Sequence, residues 1–176
     1  MPGMPPLKPL DEWQSMVEET CRGEAYRLFC DLCEGAVSRQ RTRTVQLHGK
    51  TCRAEIYNTL VGFEISIVKT KVLHTVFVPD LATARYLKIF TEIGLPKVEI
   101  PYHIVRLAEL VPDLEKAYRS LWVIIHFFSD QIIGTKAKKY YMEKVFACLR
   151  KDLTERMVGL GILPAPAPAE ETAPEN

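Results

Sequence analysis

Residues Thr44–Val78 read TVQLHGKTCRAEIYNTLVGFEISIVKTKVLHTVFV, and they are the only long stretch rich in β-branched and aromatic side chains without a helical stripe. Such residues fit a pleated, half-buried surface, so the segment is expected to form a small sheet. Its punctuation divides it. Arg39–Leu47 and Thr51–Tyr57 read as two strands joined by a turn at His48-Gly49-Lys50. After a second turn at Asn58–Gly62, Phe63–Thr70 and Lys71–Val78 form either one bent strand or two strands meeting near Lys69-Thr70-Lys71.

Outward from this core the period changes from two to 3.6. Upstream, Asp11 is placed to cap a helix reaching about Thr20, with Trp13, Met16 and Val17 inward. After Gly23 a second helix covers Glu24–Ser38, with Ala25, Leu28, Phe29, Leu32, Cys33, Ala36 and Val37 on one stripe. Downstream, Pro79-Asp80 stops the sheet and Asp80 caps a helix over Leu81–Ile93, which Gly94 closes. Its inner stripe is Leu81, Ala84, Leu87 and Phe90. Lys97–Tyr102 is a further strand, and strand–helix–strand spacing allows it to lie parallel to Lys71–Val78. Pro112 divides a short helix, His103–Leu110, from a long one capped by Asp113 and ending at Gly134. Thr135 is the expected cap of a last helix reaching Val158. The two long helices should form an antiparallel hairpin. The predicted class is therefore α+β: a mostly antiparallel sheet of four or five strands, two N-terminal helices, one crossover helix and a C-terminal helical hairpin. The proline-rich residues 1–10 are expected to be a flexible lead-in, 11–160 a single domain, and the Pro/Ala/Glu residues 161–176 a disordered tail.

Composition bounds the function only broadly. The chain has 176 residues and a formal net charge of +1. It carries no global field to attract nucleic acid or an anionic membrane, so any such role rests on local patches. The most apolar window, Leu121–Phe128, is far shorter than the roughly 20 residues of a membrane span. MPGMPPLKPL lacks the pattern of a signal peptide. Five cysteines at irregular spacing suit reduced thiols. These features point to a soluble cytoplasmic protein.

Four patterns bear on chemistry. Cys30-x2-Cys33-x14-His48-x3-Cys52 has spacing that would suit four tetrahedral zinc ligands. Against this, Cys33 lies on a helical stripe that a zinc knuckle would have to interrupt. A redox role for the Cys30/Cys33 pair is disfavoured by its mid-helix position and by Asp31 between them.

Arg39, Arg41, Arg43, Lys50 and Arg53 form a basic cluster with no acidic residue between Gly35 and Ala54. In a strand the first three would project as one row able to grip phosphates near Tyr57. Alternatively they pair with acidic residues of the N-terminal helices. Lys136, Lys138 and Lys139 sit at the start of the last helix, where unsatisfied N–H groups already favour anions, and Tyr140 or Tyr141 could stack on a base. The alternative is a solvated lysine cluster. Leu121–Phe128 is apolar nearly all round, so the terminal hairpin could form a homodimer, with His126 as a core residue.

No glycine-rich phosphate loop, nucleophile elbow or HExxH is present. Glu64, Ser66 and His74 would share a sheet face only if that segment were unbent, and no catalytic residue is assigned from them. The expectation is a non-catalytic binding or regulatory protein that contacts a polyanion such as nucleic acid. The alternative is a scaffold subunit that docks a protein through its apolar hairpin.

Overall fold

The computed structural model describes residues 12–67 and 75–162. The chain is of the α+β class, with five helices and two antiparallel sheets among these residues. The order is α1 (Glu12–Arg22), α2 (Glu24–Val37), β1 (Thr42–Gln46), β2 (Ala54–Thr59), β3 (Gly62–Ile67), β4 (Thr75–Val78), α3 (Leu81–Ile93), β5 (Lys97–Pro101), α4 (Ile104–Gln131) and α5 (Thr135–Gly159). The expected lead-in, the Asp11 cap, the segment at Lys69–Lys71 and most of the tail lie outside the described residues.

α3 lies at the centre, and its ends are built as its sequence predicts. The Asp80 carboxylate accepts from the Thr83 N–H at 2.8 Å, and Gly94 takes a left-handed conformation (φ 92°) just beyond the last turn. Ala84, Tyr86, Leu87, Ile89, Phe90 and Ile93 are all buried, so α3 is enclosed on nearly every side rather than along one stripe. Leu81, expected inside, is exposed. On one side of α3 lies the β2-β3-β4 sheet, whose register places Ile56, Ile65 and Val76 in one cross-strand row toward the core. Tyr57, Glu64 and Phe77 form the neighbouring row, with Tyr57 and Phe77 exposed.

The five strands form two sheets rather than one. The expected β1–β2 hairpin at His48-Gly49-Lys50 does not form. β1 pairs instead with β5, antiparallel, with Thr44 opposite Glu99, and Leu47 N–H extends the pairing to the Pro96 carbonyl at 2.8 Å. The intervening loop crosses the C-terminal end of α3. Cys52 N–H donates to the Glu92 carbonyl at 3.2 Å, Thr51 Oγ1 to the Ile93 carbonyl at 3.1 Å, and Ala54 N–H to Glu92 Oε2 at 3.1 Å. These bonds satisfy the orphan carbonyls of a helix end and the loop's own donors together, which removes the need for a hairpin. The expected parallel crossover is likewise absent, because β4 pairs with β3 and β5 with β1.

Pro112 does not end a helix. α4 runs unbroken for 28 residues with Pro112 inside it. The proline and Ala108, whose carbonyl loses its intrahelical donor, both face solvent, so water can satisfy that group. Leu107, Val111, Leu114, Ala117, Tyr118, Leu121 and Ile125 keep one buried stripe across the proline, and tertiary burial outweighs its local cost. α2 is also rotated slightly from expectation: Tyr26 and Cys30 join the core, while Leu28 turns outward.

The turn at Gly134 (φ 101°) joins α4 to α5. Trp122 and Phe146, equally distant from Gly134 in sequence, have ring centroids 5.4 Å apart, as a helical hairpin requires. Gly134 rather than Thr135 is the cap of α5. α1 closes the bundle, where Thr20 Oγ1 and Tyr141 Oη lie 2.8 Å apart in a hydrogen bond. Among the described residues no helix is long and apolar enough to cross a membrane.

Candidate polyanion-binding cleft

The basic residues singled out from sequence fall into separate places. Arg39 lies in a left-handed turn (φ 59°) after α2, Arg41 precedes β1, and Arg43 lies within it. The three do not form the row that one continuous strand would make. The Arg41 guanidinium lies 5.5 Å from the centroid of the Tyr102 ring, an exposed cation–π contact. Among the described residues these arginines form no ion pair with the acidic helices, whose Asp31 and Glu34 are paired with Arg156 at 2.6 and 3.1 Å. Arg53 is exposed just before β2. Lys138 donates to the Ser129 carbonyl at 2.6 Å and so ties the start of α5 to the end of α4, while Lys136 and Lys139 are exposed.

Lys50 is the residue that the fold brings into a site. Its loop forms one wall of a cleft of about 610 Å3 whose other walls are α1, α4 and α5. Trp13, Trp122 and Tyr140 supply aromatic surface, and Lys50, Lys144 and Arg150 supply positive charge against a single carboxylate, Glu143. Trp13 and Tyr140 meet with ring centroids 5.7 Å apart at 46°. The same two rings line a second groove of about 390 Å3 that carries Lys136. The aromatic pair thereby has an excess of positive charge on the side of the larger cleft and one cation with one carboxylate, Lys136 and Glu12, on the other.

Each wall has a local cause. Tyr140, Glu143, Lys144, Ala147 and Arg150 recur at helical spacing, so α5 presents them on one face while Tyr141, Val145 and Leu149 fill the core. Arg150 Nη1 donates to Thr51 Oγ1 at 2.6 Å and to the Ile93 carbonyl at 3.0 Å, which joins α5 to the loop and to the end of α3. Gly94 permits this close approach: a Cβ there would lie 2.4 Å from Thr51 N and 2.6 Å from Lys50 C. Thus the loop bearing Lys50 is set by hydrogen bonds and by a glycine more than 40 positions away.

The zinc spacing resolves differently. α2 is continuous through Cys30 and Cys33, both buried, so no knuckle forms. Burial pushes the Cys30 thiol up to about 12 and the Cys33 thiol well above its ordinary value, which opposes the thiolate that a metal ligand must become. Cys52 Sγ donates to the Thr91 carbonyl at 3.3 Å, and burial followed by the nearby Glu92 pushes that thiol up to about 11. Among the described residues no group of three or more His, Cys, Asp or Glu side chains is arranged to hold a metal ion, His48 included. Ser66 Oγ donates to Glu64 Oε1 at 2.6 Å on the sheet face, and His74 lies outside the described residues. His126 is exposed rather than in the core, stacked on Trp122 with centroids 4.9 Å apart.

Sequence reasoning missed Trp13, Trp122, Lys144 and Arg150 as site residues. The α5 face was legible in its helical spacing, but its convergence with α1 and a distant loop was not. No protein-family model matches this chain, and no characterised protein or solved structure is significantly similar to it.

Proposed function

We propose that this protein is a non-catalytic, cytoplasmic binding or regulatory protein that holds a single-stranded nucleic acid or a similar polyanion. The observation that supports this is the Trp13–Tyr140 aromatic pair with Lys50, Lys144 and Arg150 against Glu143 on one side, and Lys136 beside Glu12 on the other. Sequence-tolerant binders of single strands combine these elements: bases stack on aromatic faces while cations track the phosphates. A near-neutral chain is compatible with such a role when the charge is local. Arg41 stacked on Tyr102 would be an outlying contact.

Fluorescence anisotropy with a labelled single-stranded oligonucleotide tests the reading. Four phosphate contacts give a slope of log K against log salt of about −3, since each contributes roughly −0.7 on a single strand. Lys50→Glu with Lys144→Glu should abolish most binding and flatten the slope. Binding that ignores both salt and this double variant would refute the proposal.

A second reading, a scaffold subunit docking through the terminal hairpin, is favoured by one observation. Val123 and Phe127 on α4 are large, apolar and exposed.

A further inference from the structure

The outward face of α4 carries Arg119, Val123, His126, Phe127 and Asp130, which helical spacing places on one stripe opposite the buried one. Val123 is 66% exposed and Phe127 59% exposed. Among the described residues Arg119 and Asp130 form no ion pair, whereas their neighbours Arg85 and Glu115 are joined to each other. The stripe therefore has Val123 and Phe127 beside an exposed His126 at its centre and, among the described residues, unpaired Lys116 and Arg119 at one end and unpaired Asp130 at the other.

That arrangement is self-complementary. In a twofold association residue i meets j and j meets i, so two antiparallel copies of one helix face pair symmetrically about a central point. The midpoint of Arg119 and Asp130 falls between Ile124 and Ile125, and that of Val123 and Phe127 at Ile125, half a residue away. At the rise of a helix the two charges are about 16 Å apart, far enough to bracket the apolar pair. The stripe itself forms one wall of a groove of about 740 Å3 between α3 and α4, where Ile89, Tyr118 and Trp122 give an apolar floor among charged side chains that include Arg85, Lys88 and Glu92.

We propose that two copies of this chain associate through α4, antiparallel about a twofold axis at Ile124–Ile125, with Phe127 of each seated in the α3–α4 groove of the other and Arg119 paired with Asp130 of the second copy. This makes the partner in the scaffold reading a second copy of the chain. The two sites share Trp122 as a wall, but Val123 and Phe127 do not line the aromatic and cationic cleft, so substitutions at these two residues test the dimer without touching that cleft.

Sedimentation velocity of the full chain over a concentration series tests it, with circular dichroism melts to show that each variant is folded. The wild type should sediment as a dimer and Phe127→Asp as a folded monomer. Arg119→Asp alone, which turns two symmetric attractions into repulsions, should raise the dimer Kd roughly tenfold or more. The swap Arg119→Asp with Asp130→Arg should restore dimerisation. A wild type that stays monomeric, a dimer indifferent to Phe127→Asp, or a swap no better than the single reversal would each overturn the proposal. A wild-type dimer that binds no oligonucleotide would refute the nucleic-acid reading and leave this one standing.

Discussion

Gly94→Ala should be far more damaging than an exposed glycine substitution at a helix end ought to be. Two costs add. The left-handed conformation of Gly94 (φ 92°) disfavours any Cβ by roughly 1–2 kcal/mol. The new Cβ would also meet Thr51 N at 2.4 Å and Lys50 C at 2.6 Å, and both are backbone atoms that cannot swing aside. Relief requires the loop to lift from α3, which strains the packing by about 1–3 kcal/mol and weakens the Cys52–Glu92 and Thr51–Ile93 hydrogen bonds. The sum is about 2–5 kcal/mol, a large part of the stability of an ordinary domain. Gly161→Ala is the matched control, because Gly161 also has positive φ (78°) but open space around its Cβ position. It should cost about 1 kcal/mol. Urea unfolding followed by circular dichroism measures both, and at a typical slope of about 2 kcal/mol per molar the Gly94 midpoint should fall by roughly 2 M. The Gly94 variant should also bind oligonucleotide less well, since the loop carries Lys50 and anchors Arg150. Equal losses for the two variants would mean that the loop is not pressed against α3, and the account of how the cleft is positioned would fail.

Two further outcomes follow from the packing. Pro112→Ala restores a donor to the Ala108 carbonyl on an exposed face of α4, and should raise stability by about 2 kcal/mol in the same urea assay. A loss would show that the fold depends on the proline. The fold should also be labile to alkali: burial raises Cys21 and Cys30 from an ordinary 9.0 to about 12, and Cys52 to about 11. Above pH 9 the unfolded thiols release protons that the folded ones retain. Stability is therefore full below pH 9 and falls between pH 9 and 12, by up to about 1.4 kcal/mol per pH unit for the buried Cys30 and by less for the half-buried Cys21 and Cys52, which solvent screens. Urea midpoints that stay constant from pH 8.5 to 10.5 would contradict the burial of Cys30 and the partial burial of Cys21 and Cys52.

What could be read in the sequence was what local chemistry decides. Asp80 and Gly94 bound α3 because capping and left-handed turns are governed within a few residues, and β2 and β3 pair because a single short turn joins them. The failures lie where a distant group wins. β1 chose β5 over β2 because the loop between β1 and β2 found its hydrogen-bond partners on the end of α3. Pro112 stayed within α4 because a stripe of buried side chains continues on both sides of it, and the sequence pattern showed that stripe only after Leu114. For the site, Lys50 and Tyr140 stood out as charge and as aromatic surface, yet nothing near either residue indicated that they share a cleft with both tryptophans.

That coincidence supplies the most direct test of the central claim. Trp13 and Trp122 are the only tryptophans in the chain, and both line the cleft, so the protein's intrinsic emission reports on it without a label. Titration with an unlabelled single-stranded oligonucleotide should quench this emission with saturation, reverse on addition of salt, and lose most of its amplitude in Trp13→Phe. Emission that stays constant under conditions where anisotropy shows binding would place the ligand elsewhere and contradict the account.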